Sequence, residues 1–292
     1  MFGECHAHIF MDGLNYRTAV AEHKNSVNIE RVREHLRAYQ VFAIPFVRDG
    51  GDRFGVSEKA KELAGEYGID YRTPVFAIHR MGHYGHIVGV GAESLGDYRE
   101  KVEEVRRRHG DFIKIMVSGI IEYDCFGRLS EEALEPEWIK EMIHIAHAEG
   151  FAVMVHANGR EAVLPAVLAG ADSIEHGNYI DGDCMDAMAD TGCIWVPTIV
   201  TTANLFGCGR YEDEILKKIY DMECENLSRA YEKGVQLALG SDAGAYMVPH
   251  GKGVCQEREV FERVLGTTEQ KRKALGEHLR AGETKIRQMF RQ

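Results

Sequence analysis

Short apolar runs alternate along this chain with longer, charged stretches of helical periodicity. The runs at 1–5, 41–47, 71–78, 112–117, 151–155, 173–175, 194–198 and 237–240 lack the every-second-residue polarity of a strand with one wet face. Such segments read as strands buried on both faces. Between them, 29–39, 57–67, 98–109, 136–149, 162–169, 183–190 and 212–233 read as helices, and two more follow at 255–265 and 268–291. Glycine follows several of them, as at Gly110, Gly150 and Gly234, where a left-handed cap residue is favoured. Alternating strands and helices predict a parallel sheet, and eight such pairs predict closure into an α/β fold, the (β/α)8 TIM barrel. The length of 292 residues suits one barrel, which typically takes about 250, so a single domain over 1–292 is expected.

Composition narrows the partners. With 45% hydrophobic and 28% charged residues the chain is globular in type, and its net charge of -11 argues against nucleic acid or an anionic membrane. No apolar stretch reaches the roughly 18 residues that span a bilayer, and the N-terminus lacks the basic segment and apolar core of a signal peptide. A cytoplasmic protein acting on a small molecule is expected, and a homo-oligomer is compatible with this. The seven cysteines are odd in number, scattered and never spaced Cys-x-x-Cys, the pattern of reduced thiols. Cys125, just past the fourth strand, is the one considered for a pocket position.

Six side chains change the picture: His6, His8, Lys114, His156, His176 and Asp242, each at the end of an apolar run. In a barrel the ends of different strands converge on one face, so groups remote in sequence can meet around one ion. His6 and His8 are two apart on an extended strand and project to the same side. Histidines supply neutral nitrogen ligands, and a carboxylate adds charge and can accept protons. Lys114 does not fit this set as an ammonium. A buried lysine amine is easily deprotonated, and the free amine can react with carbon dioxide to give a carbamate, an anionic bidentate oxygen ligand able to bridge two ions. The plainer alternatives are loop polarity for each histidine and a salt bridge at the barrel mouth for Lys114.

The stretches Val155-His156-Ala-Asn, Ser173-Ile-Glu175-His176-Gly177 and Gly240-Ser-Asp242-Ala-Gly244 resemble the amidohydrolase superfamily. The likeness is to its binuclear branch with a carbamylated lysine, above all the imidazolonepropionase-like and Xaa-Pro or Xaa-Arg dipeptidase-like members. The resemblance implies that His6 and His8, with Asp242, hold one divalent ion and His156 and His176 the other. Carbamylated Lys114 and a hydroxide would bridge them, and Asp242 would shuttle the proton. Zinc is the default ion for such nitrogen-rich ligation, with manganese, iron and nickel left open. The chain departs from the pattern in one respect: these enzymes usually carry a small β-sandwich built from residues before the first barrel strand and after the last. Here His6 stands almost at the first residue, so no upstream half is expected, and the tail after Asp242 reads as helices.

Substrate-side candidates follow from strand-end position: Arg48, His79, Arg80, His83 and Tyr123, with the arginines able to grip a carboxylate bidentately. His23, His35, His109, His144, His147 and His278 fall on helical patterns and read as surface residues. The leading function is a metal-dependent hydrolase that cleaves a C–N bond, amide or cyclic amide, of a small and perhaps carboxylate-bearing substrate. A lactonase or phosphotriesterase on the same site is the alternative, and a catalytically silent binding barrel the third.

Overall fold

The computed structural model describes residues 2–291, so residue 1 of the first predicted strand lies outside the described residues. Among the described residues nine strands form: β1 (Glu4–Ala7), β2 (Phe46–Asp49), β3 (Asp70–Arg72), β4 (Ala77–Arg80), β5 (Gly89–Ala92), β6 (Ile113–Met116), β7 (Val153–Ala157), β8 (Ser173–His176) and β9 (Ile194–Val196). Their ladders are parallel, in the orders β1-β2-β3 and β5-β4-β6-β7-β8-β9. The last predicted strand does not form a ladder. It makes single bridges from Leu237 to Trp195 of β9 and from Ala243 to Ala7 of β1, with Cys5 N donating to Leu239 O at 2.9 Å. That is enough to join β9 to β1. The fold is the expected α/β TIM barrel.

Three differences from the sequence pattern have local causes. The run 71–78 is two strands, because the chain turns at Thr73-Pro-Val75, with Val75 left-handed at φ 71. β5 has no counterpart in the sequence pattern, because its Gly-Val-Gly-Ala sequence carries little strand propensity. It pairs because Gly89 lacks a side chain, since a Cβ there would lie 2.2 Å from Ala77 O. The run 41–47 starts late, because α2 (Ile29–Val41) continues to its first residue.

The helices follow the expected positions: α3 (Val56–Ala64), α4 (Leu95–Arg107), α5 (Pro136–Ala148), α6 (Arg160–Leu168), α7 (Gly182–Thr191), α9 (Asp213–Glu232), α10 (Lys252–Val264) and α11 (Glu269–Met289). Two short ones, α1 (Tyr16–His23) and α8 (Val200–Ala203), are additional. Asn28, Ser94 and Thr268 cap α2, α4 and α11 by accepting a backbone N–H, which satisfies donors a helix start leaves free. The helical tail has a definite place. Ile286 of α11 and Phe290, which caps it, pack with Cys5, Phe46, Phe112 and Ile194, closing the N-terminal end of the barrel and leaving the opposite end for chemistry.

Two histidines expected at the surface are buried, His23 and His35. His35 faces inward from α2, donates from Nδ1 to Ile9 O at 2.8 Å and stacks on His250 with ring centroids 4.1 Å apart. This fastens the loop after β1 to the loop after Asp242. No helix among the described residues is long and apolar enough to cross a membrane.

Candidate metal centre

β1 delivers His6 and His8 to the C-terminal mouth, and both are buried. His8 fits because Gly50, after β2, has no side chain: a Cβ there would lie 2.3 Å from His8 Cε1. Asp242 meets the pair from the closing segment, its Oδ1 3.5 Å from His6 Nε2 and 3.6 Å from His8 Nε2. One donor atom from each of the three lies within 4.8 Å of the others. His176 brings its ring 4.9 Å from His6 and 4.7 Å from His156. The four histidines therefore form one connected group at the mouth.

The hydrogen bonds leave each imidazole one nitrogen for a ligand. His6 Nδ1 is 2.7 Å from Glu175 Oε2, and His8 Nδ1 is 3.4 Å from Gly51 O. Carboxylates and carbonyls accept, so these nitrogens carry the protons and the two Nε2 atoms keep their lone pairs. His156 uses Nε2 toward Gly119 O at 3.3 Å, and His176 uses Nδ1 toward Thr198 Oγ1 at 2.8 Å. Burial disfavours the charged imidazolium, and nearby positive groups add to it. His8 and His156 are pushed down to about 3, and His6 and His176 well below the usual histidine range. Neutral imidazoles are the form a metal needs.

Two fully shielded nitrogens here have no hydrogen-bond partner, His6 Nε2 and Lys114 Nζ. An unmet buried donor is expensive, and a buried ammonium more so. Burial holds the Lys114 amine below the usual lysine range and the Asp242 carboxyl above the usual carboxylate range. An electron-rich nitrogen cluster, a carboxylate and an unpartnered lysine fit a divalent-ion centre. Backbone strain collects at the same place. His176, Thr198 and Asp242 adopt left-handed φ values of 68, 54 and 59, which non-glycine residues tolerate only where surrounding structure imposes them.

Beneath the histidines lies a charged layer the sequence pattern did not reveal. Glu175 accepts from His6 on one oxygen and from Arg48 Nη2, at 2.8 Å, on the other. Arg48 donates further to Ser173 Oγ at 2.8 Å and to Cys5 O at 2.7 Å, with its guanidinium 4.4 Å from the Phe290 ring. The expectation that Arg48 grips a substrate carboxylate is corrected: it is fully buried and its N–H groups are committed. A charged residue on each of two otherwise apolar strands is the only signal the sequence holds for this layer, and Glu175 there reads as part of a motif.

The remaining candidates stand at the rim. Arg80 is ion-paired with Glu135 at 2.5 Å and stacks over Trp138. His79 is buried, with Nδ1 2.9 Å from its neighbour's carbonyl, Arg80 O. His83 is half-buried, 3.7 Å from Glu131 Oε2. Tyr123 donates its hydroxyl to Thr201 Oγ1 at 3.2 Å. Tyr84, not singled out from the sequence, lays its ring 5.3 Å from that of His156. Cys125 is exposed.

Comparison with known proteins places this arrangement. Ochratoxinase of Aspergillus niger is 27% identical over 198 residues, 66% of this chain and 39% of that protein. An uncharacterized protein of Mycobacterium bovis is 30% identical over 141 residues, 45% of this chain and 38% of the relative. The chain thus spans about two fifths of the length of these curated relatives. Among solved structures, A. niger ochratoxinase superposes with a TM-score of 0.75 at 21% identity, over 96% of this chain and 68% of that one. A Xaa-Pro dipeptidase with bound methionine gives 0.70 at 19%, over 97% and 75%; both show a shared fold. The amidohydrolase family model matches residues 18–265, taking in Lys114, His156, His176 and Asp242. As that match covers most of the chain, the protein belongs to the amidohydrolase family.

Proposed function

We propose that this protein hydrolyses an amide-type C–N bond in a small substrate, using two divalent ions with zinc as the default. The observation that carries the reading is the convergence of His6, His8 and Asp242 on one point, beside an unpartnered Lys114. His6, His8 and Asp242 would hold one ion and His156 and His176 the other. When bound, such ions lower the pKa of a shared water and polarise the carbonyl oxygen. Family membership supports hydrolase chemistry, and the names of the relatives, ochratoxinase and Xaa-Pro dipeptidase, support an amide substrate.

The chain's own groups divide the remaining work. The Lys114 amine, whose protonated form burial disfavours, attacks the carbon of carbon dioxide once it has lost its proton. A nitrogen–carbon bond forms as one carbon–oxygen π pair moves onto oxygen, one proton leaves, and the resulting carbamate would supply two oxygens as ligands when divalent ions are bound. Asp242, whose carboxyl burial raises toward neutrality, accepts a proton from the attacking water and returns it to the leaving nitrogen, as a general base and acid must. Glu175 holds His6 in one tautomer. The cysteines, free of disulfides, are consistent with the cytoplasmic setting we propose.

The test is elemental analysis of protein purified from metal-supplemented medium, followed by hydrolysis assays on amides, lactones and phosphotriesters. About two ions per chain and amide turnover are expected. Folded protein without metal would overturn the proposal, and turnover confined to lactones or phosphotriesters would replace its substrate.

A further inference from the structure

The chain carries a net charge of -11, yet positive groups gather at one place near the start of β1, whereas the metal centre lies at its end. There Phe2, which precedes β1, meets α10 and α11 around a cavity of about 140 Å³. Arg258, Arg272, Lys273 and Arg280 line it, and Glu262 is the one carboxylate among its lining residues. We infer that this cavity is a binding site for a diphosphate-bearing anion, independently of the hydrolase reading above. Arginines without an ion pair also stand singly elsewhere, as Arg17, Arg53 and Arg210 do over aromatic rings. What sets this place apart is that four cations share one concave wall.

Their own partners leave most of the donors free. Arg258 Nε donates to Glu262 Oε1 at 2.7 Å, and Arg272 Nη1 donates to Gly266 O at 3.1 Å. Among the described residues, Arg272, Lys273 and Arg280 have no carboxylate within ion-pair range, and Glu269 stands only at the rim, where the cavity opens onto a shallower groove. Like charges gathered in this way repel one another. The arrangement is complementary to an anion of high charge.

The surrounding chain seats the arginines. Arg258 and Arg280 lie over the same ring, with Cζ 5.3 and 5.8 Å from the centroid of Phe2, contacts that favour a cation over an aromatic face. Gly276 lies inside α11, where glycine weakens a helix; a Cβ there would stand 3.5 Å from Arg280 Nη1, so the guanidinium rests against bare backbone one turn back. A Cβ at Gly266 would fall 2.8 Å from Arg272 Cγ and 2.9 Å from Glu262 O. Glycine leaves Arg272 its place. Buried Leu275 and Leu279 supply the apolar part of the lining. A guanidinium fork matches two oxygens of a phosphate or a carboxylate, but a carboxylate satisfies one fork, whereas a diphosphate has oxygens and charge for several.

Calorimetric titration of the full chain with pyrophosphate at fixed ionic strength tests the site. Wild type, Arg272→Gln, Lys273→Gln and Arg280→Gln are compared with Arg99→Gln, which alters an exposed arginine of α4. The three cavity residues are exposed as well, so the variants are expected to fold, which circular dichroism checks. Each should weaken binding about 10- to 100-fold, the worth of hydrogen bonds to a charged group, and Arg99→Gln should match wild type. Ions at the metal centre could also hold pyrophosphate, so the titration is repeated after chelation and dialysis. Binding that survives chelation and weakens in the cavity variants supports the site. No binding by wild type, binding abolished by chelation, affinity unchanged in all three variants, or sulfate binding as tightly as pyrophosphate overturns it. Adenosine diphosphate, titrated last, separates the sources within a supported site: tighter binding than pyrophosphate assigns a nucleotide, and weaker binding a free diphosphate.

Discussion

His6 Nδ1 lies 2.7 Å from Glu175 Oε2, both side chains wholly shielded from solvent. The carboxylate fixes the ring's tautomer and aims Nε2 at Asp242 and His8. Partners of this kind typically account for 10–100-fold in metal affinity. Glu175→Gln is therefore expected to weaken zinc binding by about 10- to 100-fold, read by titrating metal-free protein against a competing chelator. Unaltered affinity would detach Glu175 from the centre.

Arg48 is expected to act on stability and not on substrate. Its removal strands the buried Glu175 carboxylate, and breaking a buried pair in this way costs about 3–5 kcal/mol. Arg48→Met should lower the denaturant midpoint accordingly, while KM in the folded fraction stays near wild type. A fully stable variant with KM raised only for carboxylate substrates would return Arg48 to the binding site.

Lys114→Ala is expected to lose metal together with activity, because the variant removes the one buried nitrogen able to become a bridging anion. Short carboxylic acids should restore part of both, since their two oxygens can stand in the vacated space. Full metal content in the variant without any added acid would end the bridging role.

Asp242→Asn keeps shape and removes the titrating group. A loss of about 10²–10⁴-fold in kcat is expected, with the melting temperature of metal-free protein little changed. Chelation of wild type should abolish turnover and re-addition of zinc restore it. Near-normal kcat in the variant would remove Asp242 from proton transfer.

One pH dependence lies away from the centre. His147 Nε2 is 2.9 Å from Asp172 Oδ2, and that hydrogen bond raises the imidazole above its usual range. Raised in the folded state, it stabilises fully below about pH 6.5, and the contribution fades as pH rises through the folded value. Partial exposure limits it to less than about 1 kcal/mol. Unfolding of wild type and His147→Gln should thus differ more at about pH 5.5 than at about pH 8.5; the same difference at both would refute the coupling.

The sequence by itself determined the barrel, because strands buried on both faces leave continuous apolar runs and helices between them keep a polar face. It also marked out the six candidate metal-centre groups, since each ends such a run. What it could not carry were relations set by packing between distant strands. His6, Arg48, Ser173 and Glu175 stand on β1, β2 and β8, and only closure of the ring brings them into one buried layer. Arg48 looks like any strand-end arginine until Glu175, 127 positions away, meets it across the interior. The split of 71–78 and the pairing of β5 were likewise decided in three dimensions: one turns on a left-handed valine, the other on a glycine that lets two backbones touch. Burial of His35 had the same origin, because a helical pattern marks a face, and only the neighbouring loop, with His250, decides whether that face sees water.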